Sequence, residues 1–267
     1  MSDHDPINWL VPAVFPPLRP REIHLWCAWL GESGSPEPHD LSALSRDEIA
    51  RANAFYFSED RRRFLAARCN LRQVLACYTA RDPESLAFSY GRYGKPMLVH
   101  RASATGPLDP TLSNLSFNQS HCGALWLLAV AWNQPLGVDV EQVRDLSDLA
   151  LIEGKLFSGE ELLRQRGLPL PDRQREFFRR WTQREASAKF HGLGFDPAAT
   201  YVPPDQIELL TPTARSVGAL AYGGAPVRIQ QFCWPAGRTF HPMAATASQP
   251  PDVLVSPYRP AVAAPLG

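Results

Sequence analysis

Along the chain, apolar positions alternate, run together or recur at helical spacing, and each pattern predicts an element. Ile23, Leu25, Cys27 and Trp29 take every second place of REIHLWCAWL, the period of a strand. GESGSPEPHD reads as a loop. LSRDEIARANAFYF reads as a helix, and EDRRRFLAARCNLRQVLACYTA as a stronger one, with Phe64, Ala67, Leu71 and Leu75 on one face. Short strands are expected around Ala87–Tyr90 and Met97–Val99, on either side of the turn GRYGKP. The run ALWLLAVAW fits a buried strand. The turn residues of NQPLG, followed by renewed alternation in GVDVE, predict a hairpin. Helices return at DLALIEGKLF and REFFRRWTQREASAKF, the latter stopped by Gly192 or Gly194. VRIQQFCW and a strand near Met243 close the series.

One internal echo stands out. Phe57-Ser58-Glu59-Asp60 and Phe157-Ser158-Gly159-Glu160-Glu161 each precede a long Arg-rich helix, and Phe64, Leu71 and Leu75 are spaced like Phe178, Glu185 and Lys189. Two duplicated α+β halves would explain it; a chance match of few letters is the rival. The expected division is a Pro-rich lead-in (1–20), a first half (21–136), a second half (137–246) and a Pro/Ala-rich tail (247–267).

Composition narrows the function. The 27 basic and 27 acidic residues cancel, so the broad positive field needed to coat nucleic acid or an anionic membrane is missing. Only three of the basic residues are lysines, Lys95, Lys155 and Lys189. The 26 prolines crowd toward both ends, which are expected to be loose. No apolar run is long enough to span a membrane, and MSDHDPINW lacks the basic flank of a signal peptide. Five cysteines without a CxxC pair argue against a zinc cluster or a disulfide framework, so a reduced, cytoplasmic protein is expected.

Candidate chemistry begins in Gly137-Val138-Asp139-Val140-Glu141. Strand alternation puts Asp139 and Glu141 on one face, and oxygen-only ligands suit Mg²⁺. An ordinary strand with one wet face is the plain alternative. In Trp181-Thr182-Gln183-Arg184-Glu185-Ala186-Ser187-Ala188-Lys189, Glu185 and Lys189 lie one turn apart, beside Phe178 and Trp181. A surface ion pair would look the same. Phe117-Asn118-Gln119-Ser120-His121-Cys122-Gly123 reads as a polar loop able to bind an anion, or merely solvated. Gly94-Lys95-Pro96 does not complete a P-loop, and the arginines after Asp60 could meet phosphates or face water. GxSxG, HExxH and GxGxxG are absent.

In this order, LSRDEIARANAFYFSEDRRRFLAAR, GKP, FNQSHCG, GVDVE, FSGEE and WTQREASAK resemble the successive motifs of 4′-phosphopantetheinyl transferases of the surfactin-synthetase-activating type, from about Leu41 to Gly194. The resemblance implies two similar α+β halves about a pseudo-twofold axis, with coenzyme A in the cleft between them. It also implies a usually monomeric enzyme of the holo-acyl-carrier-protein synthase class, moving the 4′-phosphopantetheine arm to a serine of an apo acyl or peptidyl carrier protein. Adenosine 3′,5′-bisphosphate is released. Asp139, Glu141 and Glu185 would hold Mg²⁺ (or Mn²⁺); Asp139 would also face the coenzyme. Glu185 would be the base and Lys189 the group facing the departing bisphosphate. Ser120 and His121 fall where the family binds the 3′-phosphate, and Arg63, Gly94, Lys95 and Pro96 at other coenzyme positions. Arg184 stands where lysine is usual, Gln119 and Cys122 depart from the commoner motif, and Arg46 or Arg51 would replace two upstream lysines. A carrier-binding homologue without turnover is the rival; the intact carboxylates and Lys189 count against it.

Overall fold

The structure, a computed structural model, describes residues 8–30, 41–99, 114–193, 204–224, 227–234 and 240. The expected loop at 31–40, Gly194, the strand near Met243 and the tail from 247 lie outside the described residues.

Strand β1 (Glu22–Trp29) is buried on both faces, with Glu22 and His24 the polar residues among its apolar side chains, so it lies inside the molecule. It pairs antiparallel with β5 (Leu125–Trp132), and β5 pairs antiparallel with β4 (Leu115–Cys122). Helix α2 (Ser58–Thr79) covers one face of this sheet, with Leu71, Val74 and Leu75 against Trp26, Trp126 and Leu128. Each fully buried side chain of this size contributes about 2–3 kcal/mol of transfer free energy. The other face, Ile23, Leu25, Leu127 and Ala129, packs on a second sheet through Val138, Val140 and Leu220.

That second sheet repeats the first. Strands β6 (Leu136–Gln142), β7 (Gln206–Leu210) and β8 (Ser216–Tyr222) lie in the order β6-β8-β7, matching β1-β5-β4, and all neighbours in both series are antiparallel. Helix α5 (Leu170–His191) covers its outer face through Ala186 and Phe190 on Ala219 and Ala221. The layers run helix, sheet, sheet, helix: a mixed α+β fold of two like halves. α2 and α5 both span 22 residues and both end on a left-handed residue, Ala80 and Gly192. Their ends align Ser58 with Leu170, a different register from the one that pairs Phe64 with Phe178. The lettered echo therefore found the right pair of helices in the wrong phase.

Short helices brace each long one in the same manner. In α1 (Arg46–Asn53), opened by a Ser45–Glu48 capping box, buried Glu48 accepts from Arg68 at 2.7 Å and Arg72 at 2.8 Å. In α3 (Leu149–Leu156), buried Glu153 accepts from Arg173 at 2.9 Å and from Arg166 at 3.0 Å, the latter on α4 (Gly159–Arg166). The hairpin of β2 (Ala87–Tyr90) and β3 (Pro96–Val99) lies where it was expected.

Several expectations need correction. FNQSHCG is not a loop: its first six residues are β4, and only Gly123, at φ +57°, belongs to the turn. Asn118, Ser120 and Cys122 find partners on β6, and the Gln119 carbonyl finds Trp126, neighbours that local composition cannot reveal. β5 and β6 do not form a hairpin, since both edges of β5 are already taken by β1 and β4. Strand β9 (Arg228–Cys233), placed by sequence in the second half, adds parallel to β1 in the first sheet. Nor is the described part of the lead-in loose. Trp9, Phe15 and Leu18 are buried, Phe15 stacks on Trp26 at 5.3 Å, and Leu10 exchanges backbone hydrogen bonds with Gln231 and Cys233. Its prolines remove amide donors that an extended segment at a sheet edge has little use for.

Candidate active site

The two halves meet edge to edge along β4 and β6, joined by side chains rather than by a backbone ladder. Asn118 Oδ1 accepts from the Val138 amide at 2.8 Å, Ser120 Oγ donates to Asp139 Oδ1 at 2.7 Å, and Cys122 Sγ donates to Glu141 Oε2 at 3.2 Å. These alternate residues of β4 share one face, as strand geometry requires. The opposite face turns Gln119 and His121 toward α2.

Helix α5 completes the pocket. Glycine at 137 allows its close approach, because a Cβ there would overlap the Ala186 carbonyl and the Phe190 amide. Glu185 and Lys189, one turn apart, then reach β6. Lys189 Nζ donates to Asp139 Oδ1 at 2.6 Å and to Ser120 Oγ at 2.9 Å. Asp139, Glu141, Glu185, Lys189, Ser120 and His121 all line one cavity of about 300 Å³, with Gln119 and Trp181 in its wall.

Burial and neighbouring charge tune these groups. Glu185 is pushed up to about 7, first by desolvation and then by Asp139 and Glu141, against the pull of Lys189. Burial raises Asp139 as well, more than Lys189 and Ser120 lower it. His121 is held below its ordinary value by the protein packed around it and by the cations of Lys189 and Arg63.

A second cavity of about 500 Å³ adjoins the first, sharing Gln119 and His121 as its wall. Arg51 and Arg63 make it basic, beside Asp60 and an Arg68 whose guanidinium is held by Glu48; Phe55, Phe64 and Tyr90 give it aromatic sides, and Gly94 and Pro96 form part of its rim. Arg63 also pairs with Glu59 at 2.5 Å, and Arg51 lies over the Phe64 ring at 5.5 Å. Of the two arginines considered in place of upstream lysines, Arg51 reaches this cavity and Arg46 does not line it.

Lys95 departs from expectation. Its ammonium lines neither cavity but donates to the carbonyls of Leu136 at 2.8 Å and Lys189 at 2.7 Å. The carbonyls at the C-terminus of α5 carry partial negative charge, and that of Lys189 accepts only from the capping Gly192 amide, at 3.1 Å, so they draw it in. Burial there lowers its pKa to about 8. Arg184 likewise turns from the cavity, to the Leu156 carbonyl.

Sequence reasoning named Asn118, Arg68 and Trp181 within motifs but gave them no place in the site, and it gave none to the aromatic residues of the basic cavity. Asn118 was legible in principle, since it shares strand parity with Ser120 and Cys122. The others needed the packing of α2 and α5.

The donors fit a hard divalent cation in their chemistry. Asp139, Glu141 and Glu185 offer only oxygen, and Asp139 Oδ2 is buried with no hydrogen-bond partner. Among the described residues no three such groups converge as a formed metal cluster. In this arrangement Lys189 supplies the positive charge beside Asp139.

The class is fixed by two matches that meet at the turn between β5 and β6. A family profile described as 4′-phosphopantetheinyl transferase, N-terminal, matches residues 35–133, and that of the 4′-phosphopantetheinyl transferase superfamily matches residues 135–235. The chain belongs to the 4′-phosphopantetheinyl transferase superfamily and is an enzyme of that class. Among its relatives is the 4′-phosphopantetheinyl transferase HetI of Nostoc sp., 40% identical over 194 residues, or 72% of this chain and 76% of the relative. The 4′-phosphopantetheinyl transferase psf-1 of Bacillus pumilus is 28% identical over 151 residues, 57% of this chain and 59% of that one. A phosphopantetheinyl transferase of Thraustochytrium sp. is 27% identical over 187 residues, 62% of this chain and 61% of its own. Among the described residues no helix is long and apolar enough to cross a membrane.

Proposed function

We propose that the protein transfers the 4′-phosphopantetheine arm of coenzyme A to a serine of an apo acyl or peptidyl carrier protein, working as a cytoplasmic monomer. The observation that carries this reading is the junction of the two cavities: a pocket of three carboxylates and a lysine opens, across His121 and Gln119, into a basic and aromatic one. The nucleotide end of coenzyme A suits the basic cavity, where Arg51 and Arg63 meet phosphate and Phe55, Phe64 and Tyr90 offer apolar walls to the base. Its diphosphate then reaches the carboxylate pocket.

Glu185 takes the serine proton. A carboxylate raised to about 7 is a stronger base than an ordinary one and is still substantially ionised at neutral pH. Loss of that proton lets the hydroxyl oxygen form its bond to the β-phosphorus as the bond to the bridging oxygen breaks. Asp139, Glu141 and Glu185 would hold Mg²⁺, which supplies positive charge to the diphosphate oxygens when bound. Lys189 sits four residues from the base on the same helix face, so its ammonium can meet the charge on the departing adenosine 3′,5′-bisphosphate. Ser120 holds Asp139 and Lys189 together, and His121, kept largely neutral, can donate one N–H to the nucleotide.

The test is to incubate the protein with coenzyme A, Mg²⁺ and an apo-carrier and weigh the carrier by mass spectrometry. Gain of one phosphopantetheine arm is expected. No gain across acyl and peptidyl carriers would sink the reading.

A further inference from the structure

The wall shared by the two cavities contains a residue that the transfer chemistry has not used. Gln119 lies on β4, on the same face as His121, and both line both cavities. Its carbonyl Oε1 accepts from Trp126 Nε1 at 2.9 Å. Trp126 is fully buried, and an indole nitrogen only donates, so it fixes which end of the amide points inward. The NH₂ group is thereby turned outward. It makes no hydrogen bond within the described structure, yet it is not among the buried groups left unsatisfied, so it faces open space. The open space beside Gln119 is the two cavities.

We propose that Gln119 is a substrate-binding residue whose amide donates to the 5′-phosphate of the coenzyme's nucleotide, with Trp126 as the positioning residue that aims it. The inference rests on the transfer reading. If the nucleotide occupies the basic cavity and the diphosphate the carboxylate pocket, the phosphate on the ribose 5′ oxygen passes their common wall on its Gln119 side, with the 3′-phosphate left to the His121 side that the family resemblance gives it. An amide suits that place better than another cation. It adds donors without competing for Asp139, Glu141 or Glu185, and it does not titrate. A leucine there would leave an apolar surface against the phosphate.

The experiment is calorimetric, with Mg²⁺ present and three probes: adenosine 3′,5′-bisphosphate, adenosine 5′-monophosphate and adenosine 3′-monophosphate. Gln119→Leu is expected to weaken the two 5′-phosphorylated ligands about tenfold and to leave the 3′-monophosphate unchanged. Gln119→Glu keeps an acceptor for Trp126 but puts an anionic oxygen where the donor was, so its loss should be larger on the same two ligands. Trp126→Phe, which frees the amide to rotate, should give a smaller loss with the same selectivity. Equal affinities in Gln119→Leu and wild type, or an equal loss on all three ligands, would overturn the role. If the wild-type protein bound none of the probes, the transfer reading would fall first and the role of Gln119 with it. Wild-type melting temperatures for the variants separate lost contact from lost fold.

Discussion

Lys189 on α5 and Asp139 on β6 form the ion pair that joins helix to sheet inside the carboxylate pocket. Nζ lies 2.6 Å from Oδ1, while Oδ2 of the same buried carboxylate has no hydrogen-bond partner. One oxygen is thus held by the protein, and the other is left for a ligand.

Removing the lysine should expose the cost of that arrangement. Lys189→Met is expected to destabilise the fold by about 1–3 kcal/mol, less than for a fully enclosed pair because the lysine is partly exposed. Adding Asp139→Asn should recover much of the loss. Urea unfolding of the two single variants and the double variant measures the coupling. If the double variant is no more stable than Lys189→Met, the pair is not what holds the helix end.

Glu185→Gln should abolish transfer, by roughly 10²–10⁴-fold, through loss of the base. Its stability should equal or exceed that of wild type, because a carboxylate already raised to about 7 is poorly accommodated as an anion. Single-turnover transfer and thermal melts separate the two effects. Near-wild-type turnover would show that another group takes the proton.

Gly137→Ala tests how closely the second sheet holds α5. The added methyl would run into the backbone of Ala186 and Phe190, so the helix carrying Glu185 and Lys189 must move outward. We expect a loss of about 1–3 kcal/mol or more, together with a marked fall in turnover. Alanine at the exposed helical Gly154, where a Cβ meets nothing, is the control and should be neutral or stabilising.

Acid should weaken the protein from a site far from the pocket. His24 is fully buried; desolvation lowers its pKa from the ordinary 6.5 to about 4, despite the opposing charge of Glu22. Tyr78 Oη lies 2.7 Å from its Nδ1 and also accepts from Trp26, so the phenol proton is directed at the neutral ring. Between these two values the unfolded chain binds a proton that the folded chain refuses. The stabilisation is complete above pH 6.5 and is lost as pH falls toward 4, by about 3 kcal/mol. Denaturant midpoints measured at several pH values in that window check it, and His24→Gln should flatten the His24 share of the slope.

What could be read from the chain divides by the range of the interactions concerned. Local period located α2 and α5, because each buries a continuous stripe, and it placed Asp139 and Glu141 on one side of β6. It failed where the partner is distant in sequence. Asn118, Ser120 and Cys122 looked like loop residues because their partners are on β6, and NQPLG looked like a hairpin because nothing local says that β5 is already flanked. Lys95 followed the motif in position only. Its side chain answers to the end of α5, a relationship no spacing of letters contains.

The place of β9 bears on how the two halves share their stability. Their topologies repeat, yet β9 is drawn from beyond β8 to lie parallel against β1, with Leu10 bridging to Phe232 beside it. A ribosome must therefore deliver residues 228–233 before the first sheet has its fourth strand, and until then β1 presents an open edge. Repetition of form has not produced two independently folding units: the halves are expected to melt in one cooperative transition.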